Sequence, residues 1–128
     1  MIKTDIQSRH HIEELVNTFY DKVKRDELIS FFFNDVAKVN WEAHLPRMYD
    51  FWEQIIFQTP AYSGNPMQTH LVLHHKSSIK HEHFDRWKQL FGESIDQLFK
   101  GPVAEFAKQR AFSIAAAIEA KIWQTDTD

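Results

Sequence analysis

Residues 64–91, from Gly64 to Phe91, read GNPMQTHLVLHHKSSIKHEHFDRWKQLF, and this stretch decides the fold. Asn65-Pro66 predicts a helix start: an Asn side chain accepts from the unpaired N–H groups of a first turn, and Pro has none to leave unpaired. His70 comes one turn later, followed by the apolar Leu71-Val72-Leu73 and a polar break at Lys76-Ser77-Ser78. A second helix then carries Phe84, Trp87 and Phe91 at helical spacing. One short helix thus offers an imidazole, and the longer one after it an indole.

Composition bounds what such a pair can serve. The 128 residues predict one domain, 1–128, long enough for a real core or an enclosed ligand. The aromatic share is 14%, with 11 Phe and 4 Trp, which implies a large interior or one lined to face something flat and apolar. Net charge is −3 with both signs scattered, so neither a nucleic-acid surface nor an anionic-membrane surface is indicated. The chain has no cysteine, which excludes disulfides, Fe–S clusters, thiolate zinc sites and cysteine nucleophiles together. No apolar run approaches a membrane span and the N-terminus shows no signal-peptide core; the expectation is a soluble, cytoplasmic monomer.

Only 3 Gly and 4 Pro punctuate the chain, and no strand-like alternation or hairpin turn appears, so the reading is all-α. Thr4-x-x-Gln7 fits a capping box opening a first helix, along which Ile12, Leu15, Val16, Phe19, Tyr20 and Val23 form one apolar stripe. Leu28 to Asn34 is a crowded aromatic corner. Asn40 can cap the next helix, with Trp41, His44, Leu45, Met48, Trp52, Ile55 and Ile56 on one face; Pro46 either kinks it or marks a later start. A loop spans Thr59 to Gly64. The long helix from about Lys80 is expected to run to Gly101-Pro102, Gly as a left-handed cap and Pro opening the last helix. That helix carries Val103, Phe106, Ala107, Arg110, Ile114, Ala117, Ile118 and Ile122, and Thr125 to Asp128 is expected to fray.

His70 is one of 8 histidines. Beside apolar neighbours and a loop it is either a half-buried histidine bonded to a backbone carbonyl or an imidazole tilted into a cavity as a metal ligand. Tyr20 and Trp87, both on apolar faces, carry donors that want an acceptor if buried; the alternative is simple core. His44 and Met48 lie four apart with Trp52 a further turn along, a stripe that could roof a pocket, and Arg47 on its flank could reach an anionic group or stay solvated. His70 and His74 are spaced to share a metal, with His75, His81 and His83 nearby, so a non-haem metal site at this cluster is one alternative reading. No phosphate-cradling Gly-rich loop, nucleophile elbow or Ser/His/Asp set is present.

Taken in order, Phe19-Tyr20-Asp21-Lys22-Val23, Phe33, Ala43-His44, Phe51-Trp52, His70-Leu71-x-Leu73 and Phe84-x-x-Trp87-x-x-Leu90-Phe91 resemble the truncated haemoglobins, and most the third group of that family. The resemblance runs from about Ile6 to Trp123, and the Gly-Gly pairs of the other two groups are absent. It implies a shortened globin fold, a two-over-two helical sandwich around haem b. His70 would ligate the iron and Leu71 would flank it. Tyr20 and Trp87 would donate hydrogen bonds to the ligand, with His44 at the entrance. Phe33 would pack on the porphyrin, Phe19, Met48 and Trp52 would line the ligand side, and Arg47 would pair with a propionate. The implied ligands are O2, NO or CO, in oxygen handling or nitric oxide detoxification. An enzymatic version, nitric oxide dioxygenase or peroxidase-like, would need a separate electron-donating reductase, since no flavin- or nicotinamide-binding motif occurs here. A haem-free helical interaction module is the further alternative.

Overall fold

Part of the segment before the first helix ties down the last one. In the computed structural model, which describes residues 2–127, the Asp5 carboxylate accepts from the backbone N–H groups of Val103 (2.9 Å) and Ala104 (2.8 Å), and the Thr4 carbonyl accepts from Lys100 N–H (3.0 Å). Burial alone would raise the Asp5 carboxyl, but the bonds from Val103, Ala104 and Ile6 outweigh it and hold the group below its ordinary value. Gly101 leaves room for this. It sits at φ 149°, and a Cβ there would lie 2.5 Å from the Asp5 carboxyl carbon.

Helix α1 (Arg9–Arg25) is therefore capped not by Thr4 but by Ser8, whose hydroxyl accepts from His11 N–H at 3.3 Å. His11 returns a bond to the chain before the cap, its Nδ1 accepting from Gln7 N–H at 2.9 Å. Then follow a π-helical turn (Phe32–Val36), α2 (Trp41–Phe57), α3 (Pro66–Lys76), α4 (His81–Leu98) and α5 (Pro102–Thr127), with no strand among the described residues. The aromatic corner is pinned from below by Asp26, 7% exposed. One oxygen accepts from Leu28 and Ile29 N–H (3.1 Å each) and the other from Arg86 Nε (2.6 Å).

Asn40 caps α2, accepting from Glu42 N–H at 3.1 Å, so the helix starts there and runs through Pro46 rather than beginning after it. Pro46 and Glu42, whose carbonyl loses its helical partner, are both exposed. Asn65 caps α3 through Gln68 N–H (3.0 Å), with Pro66 in its first turn. Helix α4 stops short of Gly101: the backbone turns extended at Phe99, which buries its ring against His11 (centroids 5.1 Å apart). Gly101 instead begins α5, its carbonyl accepting from Glu105 N–H. The tail is helical almost to its end. Residues 125–127 continue α5, and Asp128 lies outside the described residues.

Helices α1 and α2 lie across α4 and α5, the two-over-two arrangement of a shortened globin. The α1 stripe is wholly buried against Trp52 and Ile56 of α2, Leu90, Phe91 and Ile95 of α4, and Ala104, Ala107 and Ala111 of α5. Small residues on both sides, including the buried Gly92 and Ser94, bring α4 and α5 close together. A second, smaller core gathers Phe84, Ala115, Ile118 and Ile122, with Met67, Leu71 and Ile79 half-buried around it. Helix α3 rests on this core and contributes no fully buried side chain of its own.

Candidate functional site

A cleft of about 290 Å³ opens between the two cores, and all five helices contribute to its walls. From α3 comes His70. Its Nδ1 lies 2.6 Å from the Pro66 carbonyl, and since a carbonyl only accepts, Nδ1 carries the proton and Nε2 keeps a free lone pair. Burial lowers the affinity of this ring for a second proton, with the Pro66 bond only partly offsetting it, so the imidazole is neutral.

Across the cleft stand the donors. Tyr20 is 5% exposed, and burial pushes its phenol well above the ordinary value, so it remains a protonated donor. Its hydroxyl is 3.4 Å from His44 Nε2, a long contact that is readily exchanged for a better partner. His44 is itself held neutral, first by burial and then by the charge of Arg47. Trp87 stacks on Phe91 (5.4 Å, 12°) and Trp52 (6.5 Å, 25°), and no hydrogen bond engages its indole N–H among the described residues. Phe33, Met48 and Phe51 supply apolar wall, while Arg47 lies exposed at the rim and makes no ion pair among the described residues.

Two of the expected wall residues stand elsewhere. Phe19 is fully buried one layer beneath the cleft, edge-on to Tyr20 (4.9 Å), Trp87 (5.4 Å) and Phe91 (5.1 Å), so it supports both donors instead of lining the space. Leu71 points into the small core, one residue off the face that His70 presents. The cleft also takes in residues that the sequence did not assign to it. Leu73 follows His70 at helical spacing, and Ile114 and Ile118 lie a turn apart on α5; periodicity marks these positions but cannot tell a cleft wall from core. Tyr62, in the loop, and His83, whose Nδ1 accepts from Lys80 N–H (2.8 Å), carry no such signal.

No three His, Asp or Glu side chains converge to hold a metal ion among the described residues. His74 turns to Asp126, and His81 to Asp85 and Glu119. The non-haem metal reading fails there: His70 is a lone donor, which cannot cage a bare ion but suits a metal that arrives with its own equatorial ligands. An apolar cleft, one free imidazole nitrogen and an arginine at the rim suit haem.

Known proteins give the same answer. A family model described as bacterial-like globin matches residues 4–118, and the chain belongs to that family. Globins bind small gases at a haem, and that much follows for this chain. Within the family it is similar to a group 3 truncated hemoglobin from Campylobacter jejuni, 25% identical over 126 residues, which covers 96% of this chain and 97% of that protein. The crystal structure of a group III truncated hemoglobin from Campylobacter jejuni superposes with a TM-score of 0.82 at 25% identity, covering 94% of this chain and 95% of the other. The resemblance to the third group of truncated haemoglobins is thereby shown.

Proposed function

We propose that residues 1–128 act as one truncated-globin domain that holds haem b through His70 and binds O2, with NO and CO as further ligands. The observation that carries this is the opposition of a neutral imidazole with a free Nε2 to three neutral donor groups, Tyr20, His44 and Trp87, across one apolar cleft. Haem b supplies the gas-binding and electron-transfer chemistry, and everything else is done by the chain. Pro66 fixes the tautomer of His70. Phe33, Met48 and Trp52 flank the slot, and Arg47 reaches for a propionate. Tyr20 and Trp87 donate to a polarised diatomic ligand, and His44, on its long bond to Tyr20, stands at the entrance.

A hydrogen bond to a charged acceptor is worth about 1.5–3 kcal/mol, so each donor slows ligand release by about tenfold or more. Two such donors make a tight site, suited to oxygen handling or to oxidising nitric oxide more than to carrying oxygen between compartments. The turnover version needs a separate reductase. Peroxide scission gains less from this site: the acceptor behind His70 is a neutral carbonyl, not a carboxylate that would draw the ring towards imidazolate. We read the protein as a cytoplasmic monomer.

Visible absorption of the purified protein, before and after dithionite and then carbon monoxide, tests this. A strong Soret band that shifts with carbon monoxide is expected in the parent, and loss or marked weakening of haem retention in His70→Ala. A colourless parent that takes up no added haemin would overturn the reading, and an unchanged spectrum in His70→Ala would remove His70 as the ligand.

A further inference from the structure

Helix α3 carries the proposed ligand yet buries none of its side chains fully, so what holds it in place is a question in itself. His74, one turn beyond His70, has both ring nitrogens committed. Its Nδ1 accepts from Ile79 N–H at 2.9 Å, which puts the proton on Nε2, and Nε2 donates to both oxygens of Asp126 at 3.0 and 3.1 Å. The ring is only 11% exposed, while Asp126 is 57% exposed. One imidazole thereby joins three segments: the end of α3, the connector that places Ile79 on the cleft wall, and the last turns of α5. Asp126 lies beyond residues 4–118, the part of the chain that the family model matches.

We propose that His74 and Asp126 form a latch by which the end of α5 holds α3, and with it His70, against the cleft. Both are positioning residues for the haem ligand; this rests on the reading of His70 given above. A second pair on α5 provides the contrast. Glu119 meets His81 at 2.5 Å, but His81 belongs to α4, so this pair ties α5 to α4 and leaves α3 alone.

The test uses the full chain with haem, comparing Asp126→Ala, Asp126→Glu and Glu119→Ala with the parent. Three readouts apply: backbone amide exchange of residues 66–76, the rate of haem transfer to excess apomyoglobin, and the iron–histidine stretching frequency of the reduced protein. Asp126→Ala should raise α3 exchange and haem transfer by about three- to tenfold, the range for a charge-assisted pair with one partner largely buried, and should shift the stretching frequency. Asp126→Glu should recover most of both rates, and Glu119→Ala should stay near the parent. Rates in Asp126→Ala within about 1.5-fold of the parent would overturn the latch, well below the effect such a pair should have. So would an equal rise in Glu119→Ala, which would indicate general loosening of α5. If the parent takes up no haem, the gas-binding reading fails by itself, and exchange of α3 alone then supports or overturns the latch.

Discussion

Phe19 and His70 stand on either side of the cleft and are held in opposite ways. Phe19 is wholly enclosed, in edge contact with Tyr20, Trp87 and Phe91, within a core to which α1, α2, α4 and α5 all contribute. His70 belongs to a helix with no fully buried side chain, resting on four small-core residues and joined to its surroundings by polar contacts. On the proposed reading, the side that aims the donors is packed to fix them, while the side that presents the iron ligand is held more lightly. Elements with few buried contacts are the ones that open first, so exchange and motion should concentrate at α3.

The sharpest way to break this contrast is Phe19→Ala. Truncating a fully buried Phe costs about 3–5 kcal/mol, read as a fall in the denaturant midpoint, and Tyr20 and Trp87 should lose their aim together. A loss near 1 kcal/mol would show that the large core is not the rigid side. Next come Tyr20→Phe and Trp87→Phe, each expected to speed oxygen dissociation by about tenfold in stopped-flow measurements; rates within about twofold of the parent would argue against a donor role, being well short of one such bond. Leu71→Ala, half-buried in the small core, should cost only about 1 kcal/mol, since part of its surface is already in water.

The smallest effects are those of pH, and they run in opposite directions in the two regions. Asp5 has a lowered carboxyl in the fold, so its contribution is present above the ordinary value of 3.8 and fades as pH falls through the lowered one. His81 is raised by its bond to Glu119 and by the charges of Asp85 and Glu119; its contribution is full below the ordinary 6.5 and fades as pH rises through the raised value. Protection from amide exchange at the start of α5, taken relative to the intrinsic rate at each pH, should therefore fall in acid. Protection from exchange at the start of α4, taken relative to the intrinsic rate at each pH, should fall above neutrality, and a protection indifferent to pH would remove His81 from that tie.

Local signals in the sequence placed most of the helices. Asn40, Asn65-Pro66 and the α1 stripe act within one or two turns, and each stands where its spacing puts it. What was not legible depends on partners far along the chain. Asp5 caps a helix that starts 97 residues later, which frees Thr4 from the role its local pattern suggested. Along α5 the fully buried face is mostly alanine; beside the expected Ala107 it takes Ala104, Ala111 and Ala115, a residue too weakly apolar to stand out beside Val103, Phe106 and Ile114, which are only half-buried. Histidine stands three times as the acceptor for a backbone N–H at a helix end, at His11, His74 and His83; His11 and His83 are the third residues of their helices, where pattern rules look for Glu or Gln. Of the candidate site residues, the fold gathers Tyr20, Phe33, His44, Arg47, Met48, Trp52, His70 and Trp87 on one cleft; Phe19 and Leu71 differ because spacing gives the face of a helix but not the layer.

The bond from His70 to Pro66 has a mechanical consequence. Its acceptor belongs to the same helix, one turn back, so ring and helix form one lever with no hinge between them. A histidine anchored to a neighbouring element would stay put while its own helix slid. Here every displacement of α3 reaches Nε2 undiminished, and whatever grips the far end of that helix also sets the reach of the near one.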